Sequence, residues 1–148
     1  MRYSIGQVAQ KMGLTAHTLR YYDKEGLLPF VKKNSSGLRM FSDEDIDWLV
    51  VIECLKGTGM QLKDIKQYID WCQEGDATIG RRLEMFKRQK AKLEEQLRQL
   101  QQYMEKINYK IAYYTEAATK GSVDQAQKNK NLAAERERIF RRNKYCLL

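Results

Sequence analysis

The chain has 148 residues, is 43% hydrophobic and 31% charged, and carries a net charge of +8. That length suits one compact head with an extension rather than several domains. It holds no apolar run of the ~20 residues a membrane-spanning helix needs, and its start, MRYSIGQVAQ, has no signal-peptide core, so we expect a cytoplasmic chain without a membrane partner, whose three cysteines are reduced thiols rather than a disulfide framework.

Ser4 followed by Gln7 reads as a capping box opening a short helix, with Ile5, Val8, Ala9 and Met12 at helical spacing. Gly13 stops that helix in a turn that requires positive φ. Thr15 caps a second helix, Ala16–Lys24, which Gly26 and Pro29 end. Leu19 and one of the tyrosines must face inward, because so short a helix needs a packed side. The outer side can then present Thr18, Arg20 and tyrosine hydroxyls to base edges and phosphates in a major groove. Leu28–Phe30 and Leu38–Phe41 read as strands around an Asn34–Gly37 turn, forming a hairpin with Lys32, Lys33 and Arg39. Residues 1–40 hold seven cations against two acids, which suits a phosphate-facing surface. An ordinary helical hairpin with a solubilising loop shares this spacing; three cations on a hairpin beside the helix favour a wing.

Ser42 caps a third helix with Asp43, Glu44 and Asp45 in its first turn. Its apolar positions Ile46, Leu49, Val50, Val51, Ile52 and Leu55 pack on the head, and Gly57-Thr58-Gly59 breaks it. A fourth helix near Leu62–Gln73 turns Leu62, Ile65, Tyr68, Ile69 and Cys72 inward. Residues 41–80 hold nine acids against three cations, so these helices are expected to face away from DNA.

From Leu83 onward, Leu83, Phe86, Lys90, Leu93, Leu97, Leu100, Met104, Ile107, Ile111, Tyr114 and Ala118 recur in steps of three and four. No Gly or Pro interrupts residues 81–120. This is a heptad seam, apolar except at Lys90, which selects register or snorkels from the coil end. At ~1.5 Å per residue it makes a rod of roughly 60 Å that needs a partner chain, and a two-fold pair places two heads on two half-sites. Past Gly121 the segment to Arg142 is polar and helix-compatible. Ile139, Phe140, Tyr145, Leu147 and Leu148 form a late apolar cluster, expected to pack on the dimer or on the other chain's head. Residues 81–148 are again basic, with 17 cations and 8 acids.

Three stretches, IGQVAQKMGLTAHTLRYYDKEGLL, GLRMF and DEDIDWLVVIECLKGTGMQLKDIKQYI, together resemble the MerR family of bacterial transcription regulators over roughly residues 3–72. The resemblance implies a mainly α fold, with a winged helix-turn-helix head (residues 1–76) carrying a small β-hairpin wing and a coiled-coil dimerisation helix (77–120); residues 121–148 read as a polar helical tail. The resemblance also implies a homodimer on a pseudo-palindromic promoter with an overlong spacer, which the protein bends and untwists so that RNA polymerase engages. By position it puts contacts to double-stranded DNA on Thr18, Arg20, Tyr21 and Tyr22, on Lys32, Lys33 and Arg39 in the wing, and on Lys56; Thr15, the cap of the same helix as Thr18, is a further candidate. Met40-Phe41 departs from the aromatic pair that many members carry after the wing Arg.

No close cysteine pair or histidine cluster suggests a metal, and no cofactor motif, paired carboxylate or nucleophile–histidine set suggests an enzyme. Cys54 lies where members resembling the AdhR/NmlR type, which answer thiol and aldehyde stress, have a cysteine. It reads either as a thiol switch or as a small residue filling a helix interface. Cys72 reads as core, and Cys146 has no indicated role. Trp48, Trp71 and Tyr68 read as core or as an apolar effector pocket between head and coil. A coiled-coil adaptor with an incidental head is the remaining alternative.

Overall fold

The computed structural model describes residues 1–141. The chain divides into two compact units, Met1–Lys90 and a second beginning at Ala91.

The first unit is built from β1 (Arg2–Ser4), α1 (Ile5–Met12), α2 (Ala16–Lys24), β2 (Lys32–Lys33), β3 (Arg39–Ser42), α3 (Asp43–Gly57), α4 (Leu62–Glu74), one 3₁₀ turn (Asp76–Thr78) and the first turns of α5 (Ile79–Lys120). The Ser4–Gln7 capping box forms with both of its bonds, and Gly13 closes α1 at φ 66°. Thr15 caps α2 through the Thr18 N–H. Ser42 caps α3 in a second box completed by Asp45. These caps satisfy helix-end N–H groups within three residues of each start.

The sheet has three antiparallel strands in the order β1-β3-β2, with Tyr3 opposite Phe41 and Lys33 opposite Arg39. The strand expected over Leu28–Phe30 does not form. Pro29 has no N–H to pair, and the chain turns at residues 29 and 30 while Leu28 is drawn into the core. The partner of β3 is instead the two-residue β2, and the third strand is β1 at the start of the chain.

One core holds the unit together. Val8 and Ala9 of α1, Leu19 and Tyr22 of α2, Leu27, Leu28 and Val31 of the loop, and Phe41 of β3 pack with Ile46, Leu49, Ile52 and Leu55 of α3 and Ile65 and Ile69 of α4. Val50, expected on the packed stripe of α3, is 52% exposed; Ile46, Leu49 and Ile52 fill that role at steps of three. A ladder of aromatic rings links four segments. Phe30 stacks on Trp48 at 5.6 Å, Trp48 meets Tyr68 at 6.1 Å, and Tyr68 meets Phe86 edge-on at 5.1 Å. Trp48 and Tyr68 thus pack largely on other rings, and Trp71 has no part in the ladder. Thr78 donates to the Trp71 carbonyl at 2.6 Å, and Gln89 donates to the Thr58 carbonyl and hydroxyl at 3.1 and 3.0 Å, fastening the start of α5 to the rest of the unit.

The second unit contains the rest of α5, then α6 (Val123–Gln127) and α7 (Lys130–Phe140). Gly121, at φ 69°, reverses the chain after α5, and Asn129 caps α7. The tail returns against its own long helix. Phe140 meets Tyr109 edge-on at 5.7 Å, and Ala126 and Ile139 are buried. Tyr145, Cys146, Leu147 and Leu148 lie outside the described residues. No helix of the described chain is long and apolar enough to cross a membrane.

Candidate nucleic-acid interface

Helix α2 has two sides set by its 3.6-residue period. Leu19 and Tyr22, three residues apart, point into the core at 0% and 1% exposure. His17, Arg20, Tyr21 and Lys24 form the opposite, exposed stripe. Arg20 and Tyr21 therefore stand where the sequence reading puts groove-facing groups, and His17 and Lys24 join them. The spacing i, i+3, i+4, i+7 from His17 was the available signal for that pair.

Tyr22 is not on that face. Its hydroxyl donates to Glu53 Oε1 at 2.5 Å and accepts from Lys56 Nζ at 2.8 Å. Burial first, and then the bond to Glu53, holds the Tyr22 hydroxyl proton above the usual tyrosine range. The bond to Tyr22 likewise raises Lys56 above an ordinary lysine. Lys56, expected at a second wing, lies 3.9 Å from Glu53 and over the Tyr22 ring, so its ammonium is engaged within the head. This trio fastens the buried side of α2 to α3.

Thr15 and Thr18 are also partly committed. The Thr15 hydroxyl accepts from the Thr18 N–H at 3.0 Å, and the two hydroxyls are 2.8 Å apart. They fix the start of α2, where helix N–H groups and a partial positive charge point outward.

The wing is shaped by Asn34, whose side-chain oxygen accepts from the Ser36 and Leu38 N–H groups at 3.0 and 2.9 Å, and by Gly37 at φ 76°. Lys32 and Lys33 are exposed along its edge. Arg39 is not extended outward. Its guanidinium donates to both carboxylate oxygens of Asp23, at 3.0 and 2.5 Å, and to the Val31 carbonyl. An arginine at this wing position is expected to meet phosphate, but a fork matching a carboxylate 16 residues earlier in the chain holds Arg39 back. The pair locks the wing to the end of α2. Met40, at the departure from the family pattern, is half-buried beside buried Phe41.

Free Cys54 is exposed on α3 and does not fill a helix interface; Ile52 and Leu55 do that instead. Cys72 is half-buried, 3.7 Å from the Arg82 guanidinium. Beyond the head, α5 carries Leu83, Phe86, Leu93, Leu97, Leu100, Met104, Ile107, Ile111 and Tyr114 as one stripe, 37–62% exposed in the single chain. Among the described residues, no group of three or more His, Cys, Asp or Glu side chains is placed to hold a metal.

Residues 3–71 match the model of the MerR HTH family regulatory proteins, and residues 46–108 match the model described as MerR, DNA binding. An uncharacterized HTH-type transcriptional regulator of Haemophilus influenzae is 45% identical over 123 residues, covering 83% of this chain and 91% of its own. The HTH-type transcriptional regulator AdhR of Bacillus subtilis is 43% identical over 79 residues, covering 53% of this chain and 56% of its own. Among solved structures, HiNmlR, a MerR family regulator lacking the sensor domain and bound to promoter DNA, matches with a TM-score of 0.75 and 44% identity, over 84% of this chain and 98% of that one.

Proposed function

The chain belongs to the MerR family of HTH regulatory proteins, and on that premise we propose that it is a transcriptional regulator that binds a pseudo-palindromic promoter as a homodimer. The observation that carries this reading is the exposed stripe of α2, with Arg20 and Tyr21, standing beside a wing whose lysines face solvent. A helix face of that kind reads bases, while wing lysines hold the backbone. The promoter DNA held by HiNmlR supports the same use of this head. In this reading residues 1–76 grip DNA, and Thr15, Thr18, Arg20, Tyr21, Lys32 and Lys33 touch it. Tyr22, Arg39 and Lys56 act one step behind, holding α2, α3 and the wing in one arrangement.

The dimer is proposed from the stripe of α5. Nine large apolar side chains at coiled-coil spacing, from Leu83 to Tyr114, are exposed in the single chain, and pairing with a second α5 gives them cover and sets two heads at a fixed separation. Two heads paired through α5 can hold a promoter bent and untwisted, which brings its elements into line for RNA polymerase.

For the input, exposed Cys54 supports a thiol switch. It adjoins Glu53, the residue that holds the Tyr22 hydroxyl. Adding a group to this thiol disturbs α3 next to the contact that fastens α2.

Footprinting of the purified protein on its own upstream region, with and without formaldehyde, tests both parts. A symmetric footprint with distorted central bases that changes on treatment, and that ceases to change in Cys54→Ser, is the expected result. A footprint indifferent to the electrophile removes the thiol switch and leaves the regulator. Absence of selective DNA binding leaves the adaptor reading instead.

A further inference from the structure

The second unit contains a cleft that the DNA-binding reading does not use. It has a volume of about 460 Å³, within the range of small-molecule sites. One wall is α5, where Tyr109 and Tyr113, four residues apart, lie on the side opposite the apolar stripe. Their rings are 6.2 Å apart, and Tyr114 meets Tyr113 edge-on at 5.2 Å. The other wall is α7, whose Phe140 ring closes on Tyr109 at 5.7 Å. Ala126 and Ala133 line the space between with small side chains, so the helices meet around a gap rather than filling it.

Two cations flank this aromatic space, Lys110 on α5 and Arg136 on α7. Their neighbours on the same helices are differently employed. Arg138 pairs with Glu135 at 2.6 Å and faces Glu105 at 3.8 Å, and Arg141 pairs with Glu137 at 2.5 Å. Among the described residues no carboxylate lies within ion-pair distance of Arg136 or Lys110. The Lys110 ammonium sits over the Tyr113 ring at 5.7 Å.

We infer that this cleft binds a small planar aromatic carboxylate. The rings of Tyr109, Tyr113 and Phe140, set at mixed angles, offer faces and edges to a flat ring system. A guanidinium at the mouth matches a carboxylate with two parallel hydrogen bonds, and a lysine beside it adds charge. An uncharged aromatic gains only the first of these, and a phosphorylated sugar gains only the second.

The test uses the full chain, with 2-naphthoate as the probe and its uncharged amide, naphthalene-2-carboxamide, as the control, by isothermal titration calorimetry. The carboxylate is expected to bind with a Kd below about 1 mM and at least about tenfold more tightly than the amide. Arg136→Gln, a change on an exposed helix surface, is expected to remove that preference while leaving the circular dichroism spectrum and melting temperature unchanged. Ala133→Trp, which fills the gap, is expected to abolish binding of both compounds. Equal binding of acid and amide, undiminished binding in either variant, or no binding of the carboxylate at all overturns the inference. Should Ala133→Trp fail to fold, the acid–amide contrast and Arg136→Gln still decide it.

Discussion

Arg39 in the wing grips Asp23 near the end of α2 through two parallel hydrogen bonds of 3.0 and 2.5 Å. The pair joins the two parts of the head proposed to touch DNA, and its orientation makes its effect testable by sign. Removing an acid from a phosphate-facing surface raises DNA affinity if only long-range charge matters. If the pair acts as a clamp, Asp23→Asn lowers it. We predict about a tenfold loss in DNA affinity for Asp23→Asn, with a stability loss of about 1–2 kcal/mol for hydrogen bonds to a charged group that is still partly solvated. Fluorescence anisotropy on an operator duplex, together with urea unfolding, checks both; tighter binding by the variant contradicts the clamp.

Tyr22→Phe keeps the ring in the core and removes the hydroxyl shared by Glu53 and Lys56. The expected cost is about 1–2 kcal/mol in urea unfolding. The same trio sets an alkaline limit. Tyr22 and Lys56 both have proton affinities raised in the folded head. Their contribution is therefore complete below the unfolded pKa values, roughly 10 to 10.4, and is lost as pH rises through the folded ones. Melting temperature should hold between about pH 7 and 9 and fall above about 10, with a shallower fall in Tyr22→Phe. Equal slopes for both proteins sink this account.

Leu100 and Ile107 stand near the middle of the exposed stripe, at 62% and 57% exposure. Each contributes about 1.5–3 kcal/mol when fully buried in a partner. Leu100→Glu and Ile107→Glu should turn a dimer into a monomer by analytical ultracentrifugation at micromolar concentration while the head still melts cooperatively. A dimer that survives both changes points to a different interface.

Arg20 and Lys33 should separate reading from gripping. Arg20→Ala is expected to cost about 1–3 kcal/mol and to relax preference at one base position. Lys33→Ala should weaken all sequences alike and reduce the salt slope by about one. A uniform effect from Arg20→Ala would make it a backbone contact.

Much of the head was legible because its signals are local. The Ser4–Gln7 box, the Gly13 turn and the Thr15 cap each span three or four residues, and each forms as read. The exposed stripe of α5 was legible for the same reason, since a heptad repeats its evidence many times. Long-range pairing was not. Strand β1 has three residues, too few to show a period, and its partner Phe41 lies far along the chain from Tyr3. Leu28–Phe30 carried apolar residues like a strand, but the chain turns there, burying Leu28 and leaving Pro29 exposed. The roles of Tyr22 and Arg39 depended on Glu53 and Asp23, partners that residue type alone does not reveal. The fold-back of the tail left two traces, the late apolar Ile139 and Phe140 and the tyrosines at 109 and 113 off the heptad, but neither says that the tail packs on its own α5 rather than on a partner chain.

The most direct test of the central claim is nuclease footprinting of the purified protein on its own upstream DNA at moderate salt, beside a scrambled duplex of equal length. One symmetric protected region is expected on the upstream DNA alone, with two half-sites and enhanced cleavage between them. Equal, unstructured protection of both duplexes, or none of either, contradicts the claim.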